Sequence, residues 1–138
     1  MLTGGLHLII DGQTAVPLTV ARVQRFLYHF PRLIGVRRIT EPEVLSQKGG
    51  VCGIVIIAES HIAVHTRGTQ VMADIFSCLG FDADQVLKAA KRLLGLVECR
   101  TRVIERLMPP PRAIETGLVE GRGGENDLQG KMDAVRTL

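Results

Sequence analysis

The sequence predicts an α/β chain of the α+β kind: a two-layer sandwich in which two helices cover one face of a largely antiparallel sheet. Two observations carry that expectation. The apolar residues follow a helical 3.6 period in only two places, and elsewhere they alternate or run together in β-branched stretches. The resulting order, β-α-β-β-β-β-α-β, gathers its strands centrally and leaves two helices to pack on one side of the sheet. The other sheet face stays substantially apolar, so a homodimer formed through that face or an edge is expected.

The elements follow in order. Gly5-Leu6-His7-Leu8-Ile9-Ile10-Asp11-Gly12 reads as a first strand closed by Asp-Gly. Thr19 is suited to cap a helix whose apolar stripe is Val20, Val23, Phe26, Leu27 and Phe30, and Pro31 should stop it. Leu33–Ile39 reads as a short strand, with Ile34 and Val36 alternating with Gly35 and Arg37. Glu41-Pro42 to Lys48-Gly49-Gly50 reads as a loop into two central strands, Gly53 onward and up to Thr66, joined around Glu59-Ser60-His61. Gln70–Cys78 fits helix or strand. Its brevity and the following Leu79-Gly80 favour a strand with Val71, Ala73, Ile75 and Ser77 on one face.

Asp82 or Asp84 starts the second helix, with Val86, Leu87, Ala90, Leu93 and Leu94 opposite Lys88, Lys91 and Arg92, and Gly95 ends it. Glu98–Met108 is the last strand. Pro109-Pro110-Pro111 closes a single domain of residues 1–107 and leaves 108–138 as a Pro/Gly-rich tail expected to be mobile.

Bulk properties exclude several function classes. A 46% hydrophobic and 22% charged composition is that of a soluble globule, and no apolar run reaches the roughly 18 residues of a membrane span. The opening Met1-Leu2-Thr3-Gly4-Gly5 lacks a basic signal-peptide start, so a cytoplasmic location is expected. Cys52, Cys78 and Cys99 form no C-x-x-C, which argues against a disulfide framework or a metal site. Residues 1–107 carry 13 Lys+Arg against 9 Asp+Glu, a net +4, and residues 108–138 carry 4 against 5, a net −1. That balance is too small and too scattered to call for nucleic acid.

The chemistry concentrates where the central apolar run ends in Ala58-Glu59-Ser60-His61 and a second run carries His65 five residues past the serine. Polar groups ending a buried strand need partners, so a site belongs there. Taken singly, Ser60 is a turn residue, His65 a strand histidine and Cys78 a small buried hydrophobe. His7, His29, His61 and Cys99 read as structural, and Asp74 as a sheet pairing partner.

Together, Gly50-Val51-Cys52-Gly53, Glu59-Ser60-His61, His65-Thr66 and Asp74-Ile75-Phe76-Ser77-Cys78 resemble the prokaryotic S-adenosylmethionine decarboxylase family, as does the opening Gly5–Asp11. The resemblance spans roughly residues 4–107. It implies that family's sandwich fold and a proenzyme that cuts itself between Glu59 and Ser60, giving a β chain of 1–59 and an α chain from 60. Ser60 would become a covalent pyruvoyl group, the cofactor, which binds a substrate amine as a Schiff base and draws off electrons as carbon dioxide leaves. By the same resemblance His65 moves protons in processing, Cys52 stands where a serine assists it, and Cys78 returns a proton to the substrate. The implied role is a carboxy-lyase of polyamine biosynthesis acting on a small amino-acid-type substrate, with no metal.

Three departures bear on the substrate. Cys52 replaces the serine of the family's Gly-Val-Ser-Gly. Arg67-Gly68-Thr69-Gln70 replaces a Trp-Pro-Glu segment whose glutamate holds ribose. Ser46, Gln47 and Lys48 occupy the loop of an adenine-stacking aromatic. A chain without nucleoside contacts is suited instead to arginine or ornithine, whose cation Glu41, Glu43, Asp11 or Asp74 would meet. A non-catalytic regulatory paralogue is the third reading.

Overall fold

Alternating apolar residues build the sheet, and two amphipathic helices close over one of its faces. The computed structural model describes residues 4–113. The elements are β1 (Gly4–Thr14), α1 (Val20–Leu33), β2 (Glu43–Gln47), β3 (Gly50–Ile57), β4 (Ser60–Arg67), β5 (Gln70–Ser77), α2 (Ala83–Leu94) and β6 (Leu96–Leu107). All six strands pair antiparallel in one sheet ordered β2-β3-β4-β5-β1-β6. The expected sandwich of two helices on a largely antiparallel sheet is what forms.

Val23, Phe26, Leu27 and Phe30 of α1 and Val86, Ala90 and Leu94 of α2 are buried with Leu8, Ile10, Val55, Ile57, Ile62, Val64, Val71, Ala73 and Ile75. The strand members of that core alternate, which puts both helices on the same sheet face. The Thr19 hydroxyl caps α1 by accepting from the Arg22 N–H at 3.1 Å. Asp82 caps α2 by accepting from Asp84 and Gln85 at 3.1 Å each. Gly95, at φ 69°, ends α2 in the left-handed conformation that glycine adopts without strain. Gly53 lets α1 approach β3: a Cβ there would lie 2.7 Å from Leu27 Cδ1 and 3.0 Å from Val23 Cγ1.

Local expectations between residues 31 and 50 are corrected. Pro31 does not stop α1, which continues to Leu33; so near the end, the missing N–H costs a single helical bond. Leu33–Ile39 is not a strand. Ile34 and Val36 pack against the core from a turn, and only Arg38 makes a bridge, to Ile57. The strand of this region lies in the expected loop, where Val44 pairs with Gly53 and Leu45 with Cys52. The outer edge of β3 is thus covered in two pieces, by β2 and by Arg37–Thr40, with Glu41-Pro42 between them. Residues 108–113 are irregular, and the rest of the proposed tail, 114–138, lies outside the described residues.

On the face away from the helices, strand register lines side chains into rows. Cys52, His65, Met72, Asp11 and Arg100 form one row. Ile54, Ala63, Asp74, Ile9 and Arg102 form the next, and Ile56, His61, Phe76, His7 and Ile104 the third. Ile54, Ile56, Met72 and Ile104 are about half exposed, so this face combines apolar and charged groups.

Candidate active site

Tight pairing of β3 with β4 sets the backbone of the Glu-Ser motif. Ile57 pairs with Ser60, leaving Ala58 and Glu59 as a two-residue hairpin turn. Such turns call for positive φ, usually supplied by Gly or Asn. Glu59 takes φ 55°, the one positive value at a non-glycine among the described residues. A left-handed glutamate stores about 1 kcal/mol of backbone strain, at the peptide that precedes Ser60.

Cys78 grips that peptide from both sides. It follows directly on β5, whose pairing of Phe76 with His61 brings it level with Glu59. Its backbone N–H donates to Ser60 Oγ at 2.9 Å, and its thiol donates to the Glu59 carbonyl oxygen at 2.8 Å. Ser60 is only 8% exposed. Its hydroxyl proton is left free by a bond in which the oxygen accepts. The turn beyond is fixed by Ser77 Oγ, which accepts from the Leu79 N–H at 3.2 Å.

His65 belongs to a separate cluster. Its Nδ1 lies 3.2 Å from Cys52 Sγ, directly across the β3–β4 pair, and Cys52 Sγ lies 3.7 Å from Gln47 Oε1. The thiol has one hydrogen, so it donates to one of these neighbours and accepts, at most, from the imidazole. Five residues of strand separate Ser60 from His65, about 17 Å, and their opposite parity puts them on opposite faces. Ser60, Glu59 and Cys78 are therefore brought together, as are His65 and Cys52, but the two groups do not meet within one chain.

The Cys52–His65 pair borders a cavity of about 710 Å³ whose lining includes Asp11, Gln47, Met72 and Arg100. Gln47, Met72 and Arg100 were not among the sequence candidates. The signal for them is cross-strand register, which needs every turn length to be known. Of the carboxylates considered for a substrate cation, Asp74 is held by His7 Nε2 at 2.9 Å and Glu41 by Arg38 at 2.9 Å. The Glu41 hydrogen bond raises the Arg38 guanidinium above its usual pKa. Glu43 sits exposed on edge strand β2. Among the described residues no helix is long and apolar enough to cross a membrane.

A six-stranded antiparallel sheet with two helices on one face is the adenosylmethionine decarboxylase fold. The crystal structure of the adenosylmethionine decarboxylase from Aquifex aeolicus VF5 superimposes with a TM-score of 0.64, covering 82% of this chain and 98% of that one, at 21% identity. The chain belongs to the S-adenosylmethionine decarboxylase family, whose sequence model matches residues 6–107. None of the curated proteins matches it significantly.

Proposed function

We propose that this chain is a self-processing, pyruvoyl-dependent decarboxylase that acts on a small amino acid in polyamine biosynthesis. The observation that carries the reading is the double hold of Cys78 on the strained Glu59–Ser60 peptide. Ser60 Oγ adds to the Glu59 carbonyl carbon, the peptide C–N bond breaks, and the hydroxyl proton ends on the freed nitrogen, leaving an ester. The Cys78 thiol, already 2.8 Å from the carbonyl oxygen, steadies the charge that builds there. Loss of the Ser60 Cα proton then breaks the Cβ–Oγ bond, releases the Glu59 carboxylate and leaves dehydroalanine. Uptake of water and loss of ammonia convert that to the pyruvoyl end.

The residues fit such a group: a buried serine as its source, with the Cys78 thiol on the adjoining Glu59 carbonyl oxygen. When formed, it supplies an electrophilic carbonyl that captures an amine and accepts the electrons left by carbon dioxide. Cys78 holds the proton that is returned to the substrate carbon.

His65 and Cys52 enter the same chemistry from a second copy. A two-fold axis lying between two open sheet faces and running across the strands reverses one sheet over the other. It stacks the Glu59–Ser60 turn of one chain over the His65 end of its partner, so that the imidazole approaches the peptide from the open face, opposite the Ser60 hydroxyl. The half-exposed Ile54, Ile56, Met72 and Ile104 give that face reason to be covered. Intact mass under denaturing conditions tests the reading. Two chains, 1–59 and a pyruvoyl-blocked 60–138, are expected, and a single uncut chain would favour the regulatory paralogue, with Cys52 as the cause.

A further inference from the structure

We propose that Asp11 binds the side-chain cation of the substrate, which makes the substrate an α-amino acid with an unbranched cationic side chain. The inference rests on the decarboxylase reading above and chooses among the substrates it leaves open. Four acidic residues were candidates, and the structure separates them. Asp74 and Glu41 are each held by a cationic neighbour at 2.9 Å, and Glu43 stands exposed on the outermost strand. Asp11 lines the same cavity as Cys52 and His65, and its carboxylate makes no hydrogen bond or ion pair among the described residues.

Its distance from the reacting end suits the assignment. Asp11 lies in the row of His65, two strands away through Met72, a span of roughly 10 Å. A flexible aliphatic chain laid across Met72 covers that span, with its cation at Asp11 and its α-amino group at the His65 end, where the two-fold axis proposed above brings the Glu59–Ser60 turn of the second copy. Arg67, Arg100 and Glu98 complete the charged lining, and Gln13, Gln47 and Gln70 supply neutral hydrogen-bonding groups. Arg100 faces Asp11 across the β1–β6 pair without forming an ion pair among the described residues. Among the described residues the cavity lining contains no Phe, Tyr or Trp, and its one ring is the His65 imidazole already engaged with Cys52.

The test uses the full-length chain with Asp11→Asn and Asp11→Glu, reading self-cleavage by mass and carbon dioxide release from L-ornithine, L-arginine and S-adenosylmethionine. The expected result is normal cleavage in both variants and activity of the parent on ornithine or arginine. KM for that amino acid should rise roughly tenfold to a hundredfold in Asp11→Asn, the loss of one charge-assisted contact, with kcat changed far less. Asp11→Glu should recover part of the loss. An unchanged KM in Asp11→Asn overturns the assignment while leaving the decarboxylase reading intact. So does a cleaved parent that turns over S-adenosylmethionine alone. A fully cleaved parent inert toward all three substrates overturns both.

Discussion

The Cys78 thiol lies 2.8 Å from the carbonyl oxygen of Glu59, while the same residue's backbone N–H holds Ser60 Oγ. One residue thus orients both the electrophile and the nucleophile of a single peptide bond. The two contacts are separable by mutation, because only one of them uses a side chain. Cys78→Ala removes the thiol and leaves the N–H. Cleavage at Glu59–Ser60 should slow about tenfold, less than for a strong oxyanion donor because a thiol donates weakly. Cys78→Ser keeps a donor and should cleave faster than the alanine variant. Half-times of chain cleavage, followed by denaturing mass measurement, decide it, and equal rates in all three proteins would remove the thiol from processing.

Glu59 tests the strain directly. Glycine adopts φ 55° without steric cost but adds conformational freedom to the unfolded chain. In a Ser60→Ala background, which cannot cleave, Glu59→Gly should raise stability by at most about 0.5 kcal/mol in urea unfolding, the released strain slightly exceeding the entropic loss. A loss of stability would show that the hairpin holds no such strain.

Much of this geometry was readable beforehand, and the failures have a common cause. Both helices were legible because Thr19, Asp82 and Gly95 mark their ends and a 3.6 period runs between them. β3 and β4 were legible from their β-branched runs, and β5, which fits helix or strand by pattern, from its brevity and the Leu79-Gly80 that follows. Between Leu33 and Gln47 the pattern misled: Ile34 and Val36 reach the core from a turn, whereas β2 is mostly solvent-exposed and shows little apolar alternation. An edge strand is specified by its hydrogen-bonding neighbour more than by its own residues. The motif residues stand out only as a set, each reading as structural when taken singly, and the separation of His65 from Ser60 is not legible because it depends on strand parity.

Gly53 links the site strand to its helix. An added Cβ would press to 2.7 Å of Leu27 Cδ1 and 3.0 Å of Val23 Cγ1, both fully buried. Gly53→Ala should therefore cost about 1–3 kcal/mol by overpacking, read as a lower unfolding midpoint. An unchanged midpoint would mean that α1 can withdraw from β3 without loss.

The separation of the two clusters makes its own prediction. If His65 serves Ser60 of a second copy, each single variant fails alone for a different reason: His65→Ala lacks the proton carrier and Ser60→Ala lacks the nucleophile. Co-expressed, the two form mixed dimers in which one of the two sites pairs an intact Ser60 from the His65→Ala chain with an intact His65 from the Ser60→Ala chain. Cleavage should then return, confined to the His65→Ala chain, which mass measurement distinguishes from its partner. Cleavage of that chain in isolation would show that Ser60 needs no imidazole. No cleavage in the mixture, with mixed dimers present, would mean that the 17 Å between the clusters is bridged by movement within one chain or not at all.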